Sequence, residues 1–232
     1  MIAREERLIV ALDVPTPNEA RALAESLGDA ARFYKVGLEL FSTAGCFELV
    51  EWLRARGKMV FADLKLYDIP ETVRRAVANI ARSGATFLTV HGHRSVMEAA
   101  VREKGATKIL AVTVLTSFDA RDLAEMGSTR GVEELVVARA RAAAETGCDG
   151  VIASGLEAPS LKREFKDRLL VVTPGIRPDA GRADDQKRTV NVAQAFANGA
   201  DYIVVGRPIR DAADPRAAAQ AIQATLASIF PR

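Results

Sequence analysis

Residues 58–72, KMVFADLKLYDIPET, combine an apolar run with a group of charged residues and the start of a helical pattern. In a strand alternate side chains share a face, so Asp63 and Lys65 are expected to project the same way. Asp68 follows where Pro70 ends the extended pattern. Ionisable groups at the end of an apolar strand are costly to desolvate unless they pair or take part in chemistry. The stretch therefore predicts a buried strand whose carboxyl end carries a functional site.

Apolar runs of this kind recur along the chain and alternate with amphipathic segments. They are nearly continuous in Val, Ile and Leu, as strands covered on both faces require. The strand-like runs cover residues 8–14, 33–37, 58–64, 86–91, 108–115, 150–153, 169–173 and 202–206. Between them Ala, Leu and Val fall at helical spacing, and glycines lie where helices would end. The helical segments are clearest at residues 18–27, 47–55, 72–81 and 132–146.

Eight strand–helix units favour an α/β fold of the (β/α)8 TIM barrel type, in which residues 1–232 form one domain. An open doubly wound sheet would be expected to show a glycine-rich fingerprint after its first strand, but residues 13–17 read DVPTP. Residues 177–188 have no core-forming pattern and are predicted to form a mobile loop after the seventh strand.

The composition is that of an ordinary globular protein, with 49% hydrophobic and 27% charged residues. The 32 basic and 30 acidic residues are spread along the chain, and short pairs such as Lys187-Arg188 are interpreted as solvated surface charges. A nucleic-acid partner is therefore not expected. No apolar run approaches the roughly 18 residues of a membrane span, and no signal-peptide pattern is visible. With Cys46 and Cys148 predicted to be buried thiols, we expect a cytoplasmic protein without membrane association.

In barrels of this type the active site lies at the carboxyl ends of the strands, and phosphate commonly binds after strands seven and eight. Gly175 and Gly206 would let backbone N–H groups approach an anion, and Arg177 and Arg207 could supply the countercharge. Lys35 closes the second strand, so Lys35, Asp63, Lys65 and Asp68 could form an alternating group of charges, here named the charged tetrad. The predicted strand ends carry Asp13, Lys35, Asp63, Lys65, His91, Thr116, Pro174, Arg177, Gly206 and Arg207.

Several of these residues also have purely structural interpretations. His91 could end the fourth strand in a structural hydrogen bond, with His93 in the loop that follows. Asp13 could form a turn before the next helix, and Thr116 could cap a helix. The charged tetrad itself could be a structural network of ion pairs, although its position at the functional end of the third strand argues for chemistry.

The motif FADLKLYDIPETV at residues 61–73 closely resembles the signature of the orotidine 5′-phosphate decarboxylase family. Five further motifs match that family in the same order, so the resemblance covers essentially the whole chain. Two positions differ from the residues expected in bacterial members, since Tyr67 stands where His is common and Glu71 where Asn is common. The further motifs lie at residues 12–13, 34–37, 114–117, 173–177 and 205–209.

The resemblance implies decarboxylation of orotidine 5′-phosphate to UMP, the last step of de novo UMP synthesis, with no metal and no cofactor. It implies that Lys65 protonates the carbanion formed at carbon 6 of the pyrimidine, and that Asp63 lies against the substrate carboxylate. Lys35 would hold the network and contact the ribose, and Asp13 would bind a ribose hydroxyl.

The resemblance also assigns the remaining substrate contacts and an assembly. Thr116 would recognise the amide edge of the pyrimidine, and Gln186 would bridge phosphate and base. Asp68 and Thr72 would reach into the site of a partner subunit, which implies an obligate homodimer. The phosphate side of the site would be formed by Arg177, Gly206 and Arg207, with Pro174 among the substrate-binding residues.

Two other functions remain open from the sequence. A metal-dependent sugar-phosphate decarboxylase or aldolase can carry the same Asp-x-Lys-x-x-Asp motif, but it needs an acidic metal ligand nearby. Lys35 occupies the end of the second strand instead and would repel Mg²⁺. The other possibility is a barrel that binds phosphate without catalysing a reaction.

Overall fold

The computed structural model describes residues 2–177 and 188–231. Its strands pair in parallel in chain order, and the last returns to pair with the first, so the barrel is closed. The predicted (β/α)8 TIM barrel is therefore confirmed. The strands are β1 Leu8–Ala11, β2 Phe33–Gly37, β3 Met59–Leu66, β4 Phe87–His91, β5 Lys108–Val112, β6 Gly150–Ile152, β7 Leu170–Thr173 and β8 Tyr202–Val205.

The helices surround this barrel, and the four clearest sequence predictions are confirmed with ends shifted by no more than two residues. Several helices begin as their sequences indicate, with Thr16, Asn191 or Asp214 accepting a backbone N–H bond at the N-cap. None of the described helices is long and apolar enough to cross a membrane. They are α1 Pro17–Leu27, α2 Leu38–Phe41, α3 Cys46–Ala55, α4 Pro70–Ser83, α5 Arg94–Arg102, α6 Ala120–Glu125, α7 Val132–Thr146, α8 Ala158–Phe165, α9 Val192–Ala197, α10 Arg207–Arg210 and α11 Pro215–Ile229.

Two strands end three residues earlier than their apolar runs predict. The run at 8–14 leaves the strand at Ala11, and the run at 108–115 leaves it at Val112. Leu12 and Val114, beyond these ends, are nevertheless buried. The sequence pattern reports burial, and here burial continues into the loops above the barrel.

The barrel interior is filled by an aromatic cluster that forms the floor beneath the strand ends. Phe33, Phe61, Phe87 and Tyr202 belong to the same buried cluster, and the Phe33 and Phe87 ring centroids are 4.9 Å apart. The residues that alternate with them face the helices in separate clusters, so each strand is apolar on both faces. The strand ends therefore open above a packed, apolar floor.

Strand β3 is irregular at the point where it carries its charges. Ala62 pairs with Leu88 and Leu66 pairs with Val90, so four steps along β3 match only two steps along β4. Within this bulge Lys65 has a left-handed backbone with φ +48°. Asp63 and Lys65 do project the same way, as predicted, since their side chains meet at 2.9 Å, but strict alternation does not hold in this part of the strand.

Both cysteines are free and buried, as predicted. Burial is the largest cause that raises the pKa of each thiol to about 11. They pack in the layers between strands and helices, Cys46 on one side of the barrel and Cys148 on the other.

Two helices end in the same unusual backbone conformation, which provides a test of backbone strain. Gly28 after α1 has φ +52° and ψ −122°, and Lys166 after α8 has φ +51° and ψ −124°. A residue with a side chain is strained there by about 1–3 kcal/mol, partly offset by the greater unfolded-state entropy of glycine. We expect Lys166→Gly to raise the free energy of unfolding by ~1 kcal/mol in urea titrations.

The reverse change, Gly28→Ala, is the matched control. A Cβ at Gly28 would meet only the Arg216 guanidinium at an ordinary 3.5 Å, so its cost arises from the backbone alone. It should lower the free energy of unfolding by ~1–2 kcal/mol. Equal stability of Lys166→Gly and the wild type would show that any strain at Lys166 does not exceed the entropic offset from glycine.

Candidate active site

A cavity of about 480 Å³ opens at the carboxyl ends of the strands. Its floor includes Phe61, Val112, Ile152 and Val204, which belong to the barrel's inner cluster. Most of the residues predicted from the sequence meet here. The polar residues that line it are Asp13, Lys35, Asp63, Lys65, Thr116, Ser117, Arg177, Arg207 and Arg210, with Pro174, Gly175 and Gly206 between them.

Four charged side chains alternate in sign across three neighbouring strand ends, and we name them the charged row: Asp13, Lys35, Asp63 and Lys65. The Lys35 Nζ lies 2.8 Å from the Asp13 Oδ1 and 3.6 Å from the Asp63 Oδ2. The Lys65 Nζ lies 2.9 Å from the same Asp63 oxygen. The row joins three members of the predicted tetrad, but Asp13 occupies the end where Asp68 was expected.

The electrostatics of the row depend on its buried members. Burial by itself raises the pKa of the Asp63 carboxyl, but Lys35 and Lys65 outweigh it and hold that pKa below its ordinary value. Burial lowers the pKa of the Lys35 ammonium, but Asp63 and Asp13 together raise it above its ordinary value. Both groups are therefore charged at neutral pH.

Two residues that sequence reasoning missed support the Asp13 end of the row. A Cβ at Gly37 would lie 3.0 Å from the Lys35 Nζ and 3.1 Å from the Asp13 Oδ1, so glycine leaves room for that pair. Arg210 donates from Nη1 to the Asp13 carbonyl at 2.6 Å. Arg210 could have been found from the sequence, because it follows Arg207 by three residues and both then lie on neighbouring faces of a short helix. The Asp13 carboxylate pairs with Lys35, and the helix that follows is capped by Thr16.

The predicted phosphate residues come from the loops after β7 and β8. Gly175 has φ +75°, a conformation that glycine adopts without strain and that exposes backbone to the cavity. Arg177 donates from Nη1 to the Ile176 carbonyl at 2.9 Å, and its side chain also lines the cavity with Arg207. Gln186, with the rest of 178–187, lies outside the described residues.

Thr116 is buried in the cavity wall, and a second ionic network holds the backbone just before it. Arg188 donates to the Leu115 carbonyl at 2.8 Å and to the Glu157 Oε1 at 2.6 Å. The side chains of Arg188 and Glu157 are only 11% and 7% exposed. The interpretation of Lys187-Arg188 as solvated charges is therefore wrong for Arg188, which joins the loops after β5, β6 and β7.

Asp68 and Thr72 are exposed on the rim and are not among the described residues that line the cavity. The two histidines also lie outside it. His91 ends β4, and the Tyr67 ring centroid lies 5.2 Å from that of His91 and 4.9 Å from that of His93. Burial, Arg139 and other nearby cations lower the pKa of His91. His91 at the end of β4 and His93 in the loop after it occupy the predicted positions.

Within residues 2–177 and 188–231, no group of three or more His, Cys, Asp or Glu side chains could hold a metal ion. The charged row instead alternates ammonium and carboxylate groups. Such an arrangement can present a fixed positive charge beside a buried negative one, which suits reactions that develop a carbanion.

The sequence matches the family described as "Orotidine 5'-phosphate decarboxylase / HUMPS family" over residues 6–222. A protein of Methylococcus capsulatus named orotidine 5'-phosphate decarboxylase is 60% identical over 226 residues, which are 97% of this chain and 93% of that protein. A protein of Nitrobacter winogradskyi with the same name is 54% identical over 219 residues, 94% of this chain and 91% of that one.

Solved structures agree with these sequence matches. The crystal structure of orotidine 5'-phosphate decarboxylase from Lactobacillus acidophilus superimposes with a TM-score of 0.85 at 36% identity, covering 95% of this chain and 99% of that one. The matched range, residues 6–222, spans every member of the charged row. The chain therefore belongs to the orotidine 5'-phosphate decarboxylase / HUMPS family.

Proposed function

We propose that this protein decarboxylates orotidine 5′-phosphate to UMP and carbon dioxide, the last step of de novo UMP synthesis, without a metal or a cofactor. The observation that carries the proposal is the charged row, in which Asp63 is buried between Lys35 and Lys65 at the mouth of the cavity. Family membership and the names of the most similar relatives support the same reaction.

The chemistry requires stabilisation of charge on carbon 6 of the pyrimidine. When the bond from carbon 6 to the carboxylate breaks, its electron pair stays on the ring carbon and carbon dioxide leaves. Lys65 then transfers a proton from its ammonium to that carbon. The Lys65 Nζ lies 2.9 Å from the Asp63 carboxylate, which fixes its direction, so little reorganisation is needed as charge develops.

Asp63 has two roles in this proposal. It fixes the direction of Lys65, and it lies beside the carboxylate that will leave, so like charges separate as carbon dioxide departs. Lys35 balances Asp63 and contacts the ribose, and Asp13 accepts a bond from a ribose hydroxyl. The Lys35 Nζ donates to the Asp13 Oδ1 at 2.8 Å.

The remaining wall of the cavity carries the residues proposed to bind the base and the phosphate. Thr116 recognises the amide edge of the base. Binding the dianionic phosphate through two guanidinium groups supplies energy that can orient the reacting base. The proposed phosphate contacts are Arg177, Gly206 and Arg207, with Pro174 among the substrate-binding residues. Gln186, which lies outside the described residues, is proposed to bridge phosphate and base.

We also propose a homodimer in which Asp68 and Thr72 complete the site of the partner subunit. Asp68 is exposed beside its own cavity, and its flanking residues Tyr67 and Ile69 are 61% and 67% exposed. Leu38 is a further large apolar side chain, 67% exposed. Exposed apolar groups of this size favour an interface.

The two free thiols support a reducing, cytoplasmic location.

The first prediction tests the reaction and its proton donor. In buffer with EDTA, the wild type should convert orotidine 5′-phosphate to UMP, followed by absorbance and by release of carbon dioxide. Lys65→Ala should lower kcat by at least about a thousandfold, ~4 kcal/mol of barrier, because the proton donor is missing. Lys108→Ala removes an exposed lysine at the opposite end of the barrel and should leave kcat unchanged.

Three results would contradict this prediction. Loss of turnover in EDTA with recovery in Mg²⁺ would favour the sugar-phosphate enzymes. Nucleotide binding without turnover would favour a phosphate-binding barrel. A rate for Lys65→Ala within about tenfold of the wild type would show that Lys65 is not the proton donor.

The second prediction tests the shared site. When Lys65→Ala and Asp68→Ala proteins are mixed and exchange subunits, each heterodimer should carry one site with both defects and one with neither. Random exchange should restore about a quarter of wild-type activity, because half of the dimers then contain one intact site. Mixing Lys65→Ala with Asp63→Ala is the control, and it should restore nothing because both residues serve their own chain. If the first mixture also stayed inactive although heterodimers had formed, Asp68 would act within its own subunit.

The third prediction concerns the phosphate subsite. Arg207→Ala should lower kcat and raise KM for orotidine 5′-phosphate, because phosphate binding orients the base. The same change should have much less effect on orotidine, which lacks the phosphate. The control is Arg141→Ala, which removes one member of an exposed ion pair with Glu164. Equal losses with both substrates would mean that Arg207 does not act through the phosphate.

A further inference from the structure

The Thr89 side chain on β4 touches both members of the pair that the proposed reaction uses. Its hydroxyl donates to the Asp63 Oδ1 at 2.9 Å and accepts from the Lys65 backbone N–H at 3.0 Å. Thr89 is fully buried, directly above Phe87 on the inner face of the strand. It is not among the described residues that line the cavity, so its influence must pass through other side chains.

The β3 bulge explains why this hydroxyl is needed. Because four steps on β3 face two on β4, the Lys65 N–H donates to a side-chain oxygen, the Thr89 hydroxyl, in the middle of a parallel ladder. An unpaired buried N–H is costly. The same hydroxyl therefore stabilises the left-handed backbone of Lys65, whose φ is +48°.

The hydrogen bond that the Thr89 hydroxyl donates fixes the Asp63 carboxylate. One carboxylate oxygen accepts from Thr89, and the other lies 2.9 Å from the Lys65 Nζ and 3.6 Å from the Lys35 Nζ. Rotation of the carboxylate would break the bond to Thr89. A single hydroxyl thus links the backbone that carries Lys65 to the carboxylate that directs its ammonium.

We propose that Thr89 is a positioning residue for the decarboxylation, setting the direction of the Lys65 ammonium through Asp63 and through the bulged backbone. The inference rests on the proposed function of Lys65 and Asp63. It assigns to Thr89 no contact with substrate. Loss of the hydroxyl should therefore slow the chemical step, while substrate affinity, which depends on the phosphate and base contacts, should change little.

The test uses variants of the full-length protein and two matched controls. Thr89→Val keeps the shape and removes the hydroxyl, and it should lower kcat by about ten- to a hundredfold with KM within about threefold. Thr89→Ser keeps the hydroxyl and should stay within about threefold of wild type. Thr107→Val removes another buried threonine hydroxyl, bonded to the Ala85 carbonyl at the amino end of β5, and should not change kcat.

A pH profile separates positioning from a general loss of stability. Asp63 is faced by Lys35 from β2, by Lys65 from β3 and by Thr89 from β4, and Asp13 from the β1 loop balances Lys35. Among these contacts the Thr89 bond contributes to lowering the pKa of Asp63. Loss of this bond in Thr89→Val should shift the acid limb of the profile of kcat against pH to higher pH. In Thr107→Val the acid limb should stay in place.

Turnover by the wild type tests the proposed reaction. The ratio of the variant's kcat to the wild-type kcat tests the positioning role of Thr89. If Thr89→Val does not fold, Thr89→Ala is judged by the same criteria against Thr89→Ser. The inference is overturned if a folded variant without the hydroxyl keeps kcat within twofold of wild type. Equal impairment of Thr89→Ser and Thr89→Val would also overturn it, because the hydroxyl would then not be the cause.

Discussion

A carboxylate buried between two ammonium groups is the interaction on which the functional end of this barrel depends. Asp63 is only 9% exposed, so neither the carboxylate nor its partners can be removed without leaving an uncompensated charge. Breaking such a buried pair from one side typically costs about 3–5 kcal/mol. The second strand supplies Lys35, the third supplies Lys65 through its bulge, and the loop after the first supplies Asp13. The β1–β2 and β2–β3 pairings bring these strand ends together, so fold and site depend on the same pairings.

The arrangement also explains why the site can be charged and still ready for chemistry. The aromatic floor excludes water from below, which strengthens the interactions among the charges above it. Lys35 is fixed from two sides, whereas the Lys65 side chain is 36% exposed and faces the open cavity. The ammonium that is held least tightly is therefore the one proposed to meet the substrate. The strained backbone beneath it is the local cost of aiming that group.

The sequence predicted the repeat of strands and helices because burial on both faces leaves a continuous apolar signal. It also predicted most of the cavity, because the barrel brings every strand's carboxyl end to one place. The bulge could not be predicted, since two extra residues on β3 become visible only against β4. Arg188 was missed because its partners lie 31 and 73 residues away along the chain. Gly37 and Thr89 looked like ordinary strand residues, and only the neighbouring strand shows what their shape and hydroxyl do.

The two buried thiols have a practical consequence for studying this molecule. With pKa values raised to about 11, Cys46 and Cys148 are almost entirely protonated at neutral pH, and the thiolate is the form that alkylating reagents attack. A cysteine introduced on the surface would therefore react with a maleimide dye far faster than either native thiol. Fluorescent labels could be placed one at a time without first replacing Cys46 or Cys148, and energy transfer between two labelled copies would then report directly on subunit exchange.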